Sequence, residues 1–413
     1  MTSYETAQTG PPSILAHDLN RHFPELLKFE STPELEASAI WKQIGAEAER
    51  ILNAVVVSEP PALAGGTGVS KFVASINGAS TNIGAVAWNL ERGIRFEGIL
   101  DALKDHKDLS EKDLLLFTEL DHGMARSGNR FVAKELAEEL GLHYAFAPVY
   151  IPLQKGSGVE SDMEGENTAS IHGLAMLSRY PMKNVHAVPL PNGKDKMWGK
   201  EKRLGWLRAL FADIEHPAGE FRSVSVHLDA HCSRAHRVLQ MRIILDHLDT
   251  LSPRPTIIGG DWNTTGFNSQ SSTRAIMGYW RRVLMGPKNV ALNHLPHPER
   301  FFERRLFGEL ESRGYSFRDL NNIGVGTLHY DVGSIEKNTN LRDWVPEWCF
   351  PFIFWAAGRV GGKVSARLDW FTGKDIEPID EKPPLTIAGL MDKDGNPLSD
   401  HDPITLDFAI TKR

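Results

Sequence analysis

The stretch that decides the fold of this chain is Ile257-Ile258-Gly259-Gly260-Asp261-Trp262-Asn263-Thr264-Thr265. An apolar run reaches two glycines and then presents a carboxylate and a carboxamide two residues apart. The apolar run predicts a buried strand, and glycines at the end of a strand let its backbone approach a ligand closely. Side chains at positions i and i+2 of an extended chain share one face, so we expect Asp261 and Asn263 to hold one water molecule or one metal-bound oxygen.

The pattern of an apolar strand that ends in a polar residue occurs three more times. Residues 83–88 stop at Asn89, residues 114–117 stop before Glu119, and residues 221–226 stop at His227. Amphipathic helices are predicted between these strands, near 96–106 and from about 233. In sheets covered by helices, ligands bind outside such strand ends, so the four polar residues predict one site in an α/β fold.

The composition is that of an ordinary globular protein of 413 residues with a formal net charge of -7. The acidic balance argues mildly against a protein that wraps nucleic acid, although it allows a local basic patch. Cys232 and Cys349 are the only cysteines, so no disulfide framework is expected. The N-terminal sequence lacks a secretory signal, and the longest apolar run, 349–357, falls short of the roughly 20 residues of a membrane span. We therefore expect a cytoplasmic protein without a transmembrane segment.

Residues 1–80 differ in pattern from the rest and are predicted to form an N-terminal helical extension and a linker. Ser31-Thr32-Pro33-Glu34 is a good helix start, and the apolar stripe after it predicts a helix to about Val57. The glycine cluster at 65–68 predicts a linker, because a phosphate cradle requires a Lys-Ser/Thr pair that does not follow here. Residues 81–413 are predicted to be a second, α/β domain.

The region after the opening motif has a weaker pattern. Residues 266–366 are expected to be mostly irregular, with one helix near 299–312. The aromatic cluster from Trp344 to Trp355 is open to three interpretations: it lines a substrate groove, it touches lipid, or it belongs to a core or an oligomer contact, which is the commoner role of such runs.

Five blocks, in this order, resemble the endonuclease/exonuclease/phosphatase superfamily. They are Trp88-Asn89-Leu90, Phe117-Thr118-Glu119, Val226-His227-Leu228, Gly260-Asp261-Trp262-Asn263, and Arg367-Leu368-Asp369 together with Ser399-Asp400-His401. Each block alone is weak, whereas the ordered set is specific and covers residues 82–413. The resemblance implies a four-layer α/β sandwich, with two mixed β-sheets packed face to face, flanking helices and an active site at one rim. It also implies a metal-dependent phosphoric ester hydrolase, either a phosphodiesterase or a nuclease-like enzyme.

The resemblance implies which residues hold the metal ion and the attacking water. Glu119 is then the principal ligand of Mg²⁺, for which Mn²⁺ can substitute, and Asn89 helps it. Asp400 matches a position that assists the metal or its waters. Asp261 orients or deprotonates the attacking water, and Asn263 holds the phosphate or that water. Oxygen donors of this kind suit a hard cation that keeps several waters.

The two histidines are implied to act on the phosphate. His401 faces the scissile phosphate, while Asp369 fixes its tautomer and favours its charged form. His227 is a second imidazole that can donate to a developing negative charge or to a leaving oxygen. The family often has Gln before the metal-ligand Glu, where this chain has Thr118. The implied reaction is metal-assisted in-line attack of water at phosphorus.

Several other polar residues have two open interpretations. Arg126 and Arg179 belong either to a substrate groove or to structural ion pairs, and His172 either reaches the pocket or is a satisfied buried histidine. A second metal site and solvated loop polarity are both open for three residues after His227: Asp229, His231 and His236.

The substrate is left open among nucleic acid, lipid and small phosphoesters, as is the oligomeric state. A nuclease needs a basic groove, for which Arg281-Arg282, Arg300 and Arg304-Arg305 are available. A lipid- or inositol-phosphate-directed phosphatase, or a sphingomyelinase-like enzyme, needs exposed apolar side chains near the site, and the acidic net charge tilts slightly this way. A catalytically silent binding module of the same fold usually lacks part of the motif set, and here none of it is missing.

Overall fold

Two β-sheets packed face to face lie at the centre of the computed structural model, which describes residues 12–58, 82–331 and 363–411, except 267, 269 and 271, together with 355, 358 and 359. The strands are β1 (Val56–Ser58), β2 (Ile83–Arg92), β3 (Leu114–His122), β4 (His143–Pro152), β5 (Ile171–Ser178), β6 (Met182–Pro189), β7 (Arg203–Gly205), β8 (Arg208–His216), β9 (Gly219–His227), β10 (Thr256–Asp261), β11 (Leu328–Asp331), β12 (Lys363–Ala366), β13 (Asp369–Lys374), β14 (Ile376–Pro378), β15 (Leu385–Thr386) and β16 (Ile404–Ile410). The α-helices are α1 (Phe23–Leu26), α2 (Thr32–Glu36), α3 (Ala39–Asn53), α4 (Phe96–Asp105), α5 (Val132–Leu140), α6 (Arg234–Thr250), α7 (Ser272–Leu284), α8 (Pro287–Asn289) and α9 (Arg304–Ser312).

Both sheets are mixed. Sheet A has the order β1-β4-β5-β3-β2-β16-β14, with β7 attached to β4 and β15 attached to β16. Sheet B has the order β13-β10-β9-β8-β6. The pairs β2–β3 and β9–β10 are parallel and the remaining pairs in the two sheets are antiparallel.

The alternation of side chains along the strands produces the layers. In β2, Ile83, Ala85 and Ala87 belong to the hydrophobic cluster between the two sheets, whereas Val86 and Trp88 belong to the cluster under the outer helices of sheet A. Helices α3, α4 and α5 cover sheet A, and α6 and α9 pack on sheet B. The predicted four-layer α/β sandwich is therefore confirmed.

The N-terminal helix differs from its prediction. One helix from Ser31 to about Val57 was expected, but α2 ends at Glu36 and α3 begins at Ala39. The interruption has a local cause, because the side-chain oxygen of Ser38 accepts a hydrogen bond from the backbone N–H of Trp41 and thereby caps a new helix. The chain then leaves the helix at Asn53 and enters β1.

Residues 12–58 pack on the outer face of sheet A. Ile44 and Ile51 of α3 lie in the same hydrophobic cluster as Tyr144 of β4, and Val56 of β1 pairs with Phe146. The division into residues 1–80 and 81–413 stays a prediction, although the described parts on its two sides share one hydrophobic core. The predicted linker at 65–68 lies outside the described residues.

The region expected to be mostly irregular contains more helix than predicted. Helix α7 and a π-helix, Val290–His294, precede α9, which overlaps the expected helix near 299–312. Helix α7 has no acidic residue in its first turn and contains Gly278, so its sequence carries weak helix signals. Trp355 is exposed, and the rest of the aromatic cluster from Trp344 lies outside the described residues.

No helix in the described part of the chain combines the length and the apolar character required to cross a membrane.

Candidate active site at the rim of the two sheets

Strands from both sheets bring polar side chains to one rim of the sandwich. Sheet A contributes Asn89 from β2 and Glu119 from β3. In sheet B, Asp261 of β10 pairs with His227 of β9 on one side and with Asp369 of β13 on the other. The loop before β16 brings in His401, which lies beside β2 because Trp88 donates a hydrogen bond from Nε1 to its carbonyl oxygen at 2.8 Å. The site therefore exists only where the two sheets meet.

Asn89 and Glu119 lie within strands, next to bulges, rather than at the strand ends predicted from the sequence. The β2–β3 register shifts between Asn89 and Arg92, and the β3–β5 register shifts between Phe117 and Leu120. Bulges of this kind re-aim side chains and are enriched beside active sites. The apolar pattern breaks at the bulge, and the strand then continues, so the prediction placed the strand ends too early.

Four residues at this rim have a left-handed backbone, out of eight such non-glycine residues in the described chain. Their φ angles are +45° for Glu91, +68° for Arg92, +56° for Glu119 and +49° for Asn263. Such conformations cost about 1–3 kcal/mol each and cluster at functional sites. Their concentration here supports the assignment of this rim as the functional site.

The two glycines before Asp261 let neighbouring strands pack closely against β10. Gly260 has φ +136°, and a Cβ there would clash with the carbonyl oxygen of Val226. A Cβ on Gly259 would lie 2.7 Å from the ring of Phe371 and 2.8 Å from Leu116 of the opposite sheet. The close approach that the sequence predicted for a ligand is thus made to neighbouring strands and to sheet A.

Glu119, His227 and Asp261 converge on one point. Asn89 donates from Nδ2 to Oε1 of Glu119 at 3.0 Å and to Oδ2 of Asp261 at 3.2 Å. Nε2 of His227 lies 3.5 Å from Oδ2 of Asp261 and 3.9 Å from Oε1 of Glu119. The side chain of Glu119 is 23% exposed, against 2% for Asp261, so the cluster opens to solvent on the Glu119 side. The three side chains offer ligand atoms within 4.8 Å of one another and can hold a metal ion.

Asp261 is a buried carboxylate that its neighbours hold in a fixed position. Asn263 donates its backbone N–H to Oδ1 at 2.8 Å, and its Nδ2 lies 3.2 Å from Oδ2 and 3.0 Å from the carbonyl oxygen of Leu228. Burial raises the pKa of Asp261 to about 6, although the charge of His401 acts in the opposite direction. A carboxylate with that pKa can accept a proton close to neutral pH.

His401 is oriented by Asp369. Its Nδ1 donates to Oδ2 of Asp369 at 2.7 Å, and its Nε2 lies 3.8 Å from Oδ2 of Asp261. Burial acts to lower the pKa of His401, but the charges of Asp369 and Asp261 outweigh it and raise that pKa well above its ordinary value. Thr327, which sequence reasoning missed, donates from Oγ1 to the same Oδ2 of Asp369 at 2.6 Å. The ring therefore presents a protonated Nε2 toward the cluster.

Asp400 lies beside Glu91, an acidic residue that the sequence-based prediction missed. The backbone N–H of Asp400 donates to Oε2 of Glu91 at 3.1 Å. Burial raises the pKa of Glu91 to about 8, and the charge of Asp400 adds to the shift. Burial likewise raises the pKa of Asp400, with the charge of Glu119 adding to it. Glu91 follows Asn89 by two residues, which is the only signal in the sequence that marked it.

Arg92 is another charged residue at the site that sequence reasoning missed. Its Nη1 lies 4.0 Å from Oε2 of Glu119, and its Nε lies 3.2 Å from Oε1 of Glu160. Burial acts to raise the pKa of Glu119, but the positive charges of Arg92 and His227 outweigh it and hold that pKa below its usual range. Glu119 is therefore ionised, as a metal ligand has to be.

Arg126 and His172 lie behind the site in a buried ion network. Nε and Nη2 of Arg126 donate to the two carboxylate oxygens of Asp121 at 2.7 and 3.0 Å, and Nη1 donates to Glu160 at 3.1 Å and to Glu201 at 3.2 Å. His172 donates from Nδ1 to Oδ1 of Asp121 at 2.8 Å. Of the two interpretations of Arg126, the structural ion pair matches these contacts.

The structure does not bring Arg179 to the rim. It follows Ser178, which pairs with Leu114 at the start of β3, and its Nε lies 3.3 Å from Oδ1 of Asp113. Glu119 is five residues further along the strand, which corresponds to about 17 Å. A contact between Arg179 and the phosphate at this rim is therefore excluded by position.

The polar loop after His227 is occupied by protein partners. Asp229 accepts from the backbone N–H of Gly193 at 2.6 Å and lies 3.3 Å from Nζ of Lys196. His236 lies with Nε2 2.8 Å from the carbonyl oxygen of Pro191. Within the described ranges, both groups of three His, Cys, Asp or Glu side chains that can hold an ion include Asp261. The loop does not form a second metal site there.

Comparison with known proteins gives one family match and several similar solved structures. Residues 86–401 match the model of the endonuclease/exonuclease/phosphatase family. Among solved structures, an endonuclease/exonuclease/phosphatase from Beutenbergia cavernae shares 15% identity with a TM-score of 0.47, over 80% of this chain and 72% of that one. The human Nocturnin catalytic domain with bound sulfate shares 17% identity with a TM-score of 0.42, over 80% and 94%. A 3'-5' exonuclease from Neisseria meningitidis shares 13% identity with a TM-score of 0.43, over 80% and 100%. A search of curated proteins finds no match.

Proposed function

The chain belongs to the endonuclease/exonuclease/phosphatase family, and from this premise we propose that it is a Mg²⁺-dependent phosphodiesterase that uses water as the nucleophile. The observation that carries the proposal is the position of Asp261. This buried carboxylate, with a pKa raised to about 6 mainly by burial, lies within 4 Å of two imidazoles and shares Asn89 with the partly exposed Glu119. These side chains can supply a base, two hydrogen-bond donors and a metal ligand, which are the groups that hydrolysis of a phosphoester requires.

The donor set fits a hard divalent cation. Glu119 and Asp261 offer carboxylate oxygens, and Mg²⁺ prefers one or two carboxylates together with water. Asn89 turns Nδ2 to both carboxylates in this structure, so it would have to turn its amide over to offer Oδ1 to the ion. The raised pKa values of Glu91 and Asp400, which burial and the neighbouring negative charges produce, support the same assignment, because a cation relieves that repulsion. Glu119, Asn89 and Asp400 are the proposed ligand set, with Mn²⁺ as a substitute. An ion held there would supply positive charge to the phosphate oxygens and would lower the pKa of a water molecule bound to it.

Asp261 is the proposed general base. Two hydrogen bonds from Asn263 fix the carboxylate, so a water molecule beside Oδ2 can lose its proton to a group that does not need to rotate. In this scheme Asn263 acts mainly on Asp261. His227, at 3.5 Å from the same oxygen, can donate to the phosphate or to the leaving oxygen.

His401 is the proposed electrostatic partner of the phosphate. Its hydrogen bond to Asp369 fixes the tautomer and favours the imidazolium, so Nε2 can donate to the charge that develops on the phosphate oxygens. A preorganised donor in a water-poor site needs no rearrangement during the reaction, which is why its removal slows the reaction strongly.

The test uses initial rates with an aromatic phosphodiester and the corresponding monoester, with Mg²⁺, with Mn²⁺ and with a chelator. Asp261→Asn is expected to lower kcat by about 10²–10⁴-fold or more, because the amide cannot accept a proton. Its melting temperature is expected to be unchanged or higher, since the buried charge is removed. A faster rate with the diester supports the phosphodiesterase assignment.

Thermal melting separates binding from chemistry. Mg²⁺ is expected to raise the melting temperature of the unaltered protein and of Asp261→Asn, and to have a much smaller effect on Glu119→Gln, because an ion that binds the native state stabilises it by mass action. Metal binding without turnover on either substrate contradicts the proposal and favours a silent binding module of the same fold.

A further inference from the structure

Arg92 lies between Glu119, the proposed metal ligand, and a second acid, Glu160. Its Nη1 is 4.0 Å from Oε2 of Glu119, and its Nε is 3.2 Å from Oε1 of Glu160. The side chains of Arg92 and Glu160 are only 13% and 12% exposed, so water screens their charges weakly. The guanidinium is therefore shared by two carboxylates, and its closer contact is with Glu160.

Glu160 is also held by Arg126. Nη1 of Arg126 donates to Oε2 of Glu160 at 3.1 Å, so each carboxylate oxygen of Glu160 faces a different arginine. Arg126 is in turn fixed by two hydrogen bonds to Asp121, which follows Glu119 by two residues in β3. Negative and positive charges thus alternate along a chain of five side chains: Asp121, Arg126, Glu160, Arg92 and Glu119.

The connection between β4 and β5 positions Glu160. This residue belongs to the 3-10 helix Gly158–Asp162 within that connection. Gly156 has φ +146°, and a Cβ there would lie 2.3 Å from Oε2 of Glu160 and 2.5 Å from its Cβ. The loop therefore packs tightly against Glu160 and holds its carboxylate beside the two arginines.

A positive charge beside a metal ligand has two opposite effects. Arg92 favours the ionised carboxylate of Glu119, but it also repels a divalent cation and competes with it for that carboxylate. The negative charge of Glu160 offsets the repulsion and engages the guanidinium at a second carboxylate. Without Glu160, we expect Arg92 to pair more closely with Glu119, because an uncompensated buried charge is costly.

We propose that Glu160 is a positioning residue for the metal site, which holds Arg92 and offsets its charge so that Glu119 binds a divalent cation more tightly. Glu160 acts through Arg92 and does not itself bind the ion. This role rests on the proposed function, since it requires Glu119 to be a metal ligand. It makes the loop after β4 a determinant of metal affinity.

The test measures Mg²⁺ binding to the full chain by isothermal titration calorimetry without substrate, and the Mg²⁺ concentration that half-saturates turnover. Glu160→Gln is expected to raise the dissociation constant and the half-saturating concentration about tenfold, because Arg92 then pairs with Glu119. At saturating Mg²⁺, kcat is expected to change by less than about threefold, since the loss is one of metal affinity and not of the chemical step.

The double variant Arg92→Gln/Glu160→Gln separates this role from a purely structural one. It removes both charges, so its affinity for Mg²⁺ is expected to return to within about threefold of that of the unaltered protein. If Glu160 only stabilises the fold, the second substitution lowers the melting temperature further and does not restore Mg²⁺ binding.

Glu201→Gln is the matched control. Glu201 is buried and also accepts a hydrogen bond from Arg126, at 3.2 Å, and its other partner is Arg203. Its substitution disturbs the same network away from Arg92, so we expect it to change the dissociation constant of Mg²⁺ by less than about twofold.

Three outcomes overturn this role of Glu160 alone. They are Mg²⁺ binding that Glu160→Gln leaves unchanged, equal weakening by Glu160→Gln and Glu201→Gln, and an affinity that the double variant does not recover. Mg²⁺ binding without turnover contradicts the proposed function, whereas calorimetry on the variants still decides the role of Glu160. The absence of Mg²⁺ binding to the unaltered protein overturns both.

Discussion

Asp261 and Asp369 are paired across neighbouring strands, yet their surroundings suit them to different tasks. Asp369 is fully buried and accepts hydrogen bonds from His401 and Thr327, so its charge is committed to the histidine. Asp261 is held by two amides and keeps Oδ2 near both imidazoles. These different hydrogen-bond partners suit Asp261 to act as a base and Asp369 to orient the histidine.

The pKa of Asp261 predicts the acid side of the pH profile. Burial raises this pKa to about 6, and the base acts only when deprotonated, so kcat/KM is expected to fall about tenfold per pH unit below that pKa. A bound cation favours the carboxylate and moves the limb to lower pH, so the midpoint with saturating Mg²⁺ is expected at or below about 6. Steady-state rates across pH, with the metal held saturating, measure the limb. A midpoint above 7, or no acid limb, contradicts the assignment of Asp261 as the base.

Asp369→Asn is expected to lower kcat by about 10²–10⁴-fold and to move the basic limb of the profile to lower pH. The sign follows from the contacts: the carboxylate raises the pKa of His401 against the effect of burial, so without it the imidazolium loses its proton earlier. Thr327→Val is the matched control, because it removes only the hydroxyl that donates to Asp369 and is expected to cost less than about tenfold. Equal losses in the two variants, with an unmoved basic limb, indicate a structural role for Asp369.

At this scale the sequence was informative where residue type and motif order coincide. Five residues of the site could be predicted because each follows an apolar run or belongs to an intact motif. They are Asn89, Glu119, His227, Asp261 and His401. Arg92 and Glu91 were missed because their proximity to the site depends on a bulge, which the hydrophobic pattern of the sequence does not specify. Residue type alone left Arg179 open between a substrate groove and a structural ion pair, and the strand register carries it to the other end of β3, where it lies beside Asp113.

At the scale of the element, β10 shows how a strand fixes the base. Its two glycines let it lie between β9 and β13 and against sheet A, and the strand ends directly in Asp261. The strand and its polar end could be predicted from the sequence. What packs against the glycines could not be predicted, since glycines at a strand end indicate a close approach either to a ligand or to another strand.

Gly260→Ala is expected to destabilise the protein by about 3 kcal/mol or more, because it combines a left-handed φ of +136° with a clash against the carbonyl oxygen of Val226. Gly141→Ala is the control: Gly141 has φ +66° at the C-terminal cap of α5, and nothing lies near its added Cβ, so its cost is expected to be about 1–2 kcal/mol. Denaturant unfolding measures both. Similar losses in the two variants contradict the packing role assigned to Gly260.

Helix breaks and bulges were the elements that periodicity could not predict. The stripe from Leu35 to Leu52 continues across Ser38, so the interruption between α2 and α3 depends on one capping hydrogen bond. Helix α7 was missed for the reverse reason, since its apolar face does not pack into the core and its N-terminus lacks acidic residues. Periodicity detects faces that the core covers, whereas Met277 and Leu284 of α7 are exposed among the described residues.

On the scale of the whole molecule, each sheet supplies part of the site, so activity depends on the packing between the sheets. Asn89 and Glu119 come from sheet A, whereas His227, Asp261 and Asp369 come from sheet B. Leu116, two residues before Thr118, lies against the position of Gly259, two residues before Asp261. A change in the separation of the sheets therefore acts directly on the distance between Glu119 and Asp261.

The N-terminal segment gives the last prediction, because it stabilises sheet A from outside. Deleting residues 1–58 uncovers Tyr144 and Phe146 and leaves the edge of β4 without β1, so we expect loss of soluble protein. Ile44→Asp tests the same contact in the full chain: it buries an unpaired charge and is expected to cost about 4 kcal/mol, whereas Lys42→Asp, on the exposed side of α3, is expected to change stability by about 0.5 kcal/mol at most. Thermal melting measures the stability of each variant, and Mg²⁺-dependent turnover measures whether its site is intact. A soluble deletion variant with an unchanged melting temperature contradicts this role and leaves residues 1–80 as an independent extension.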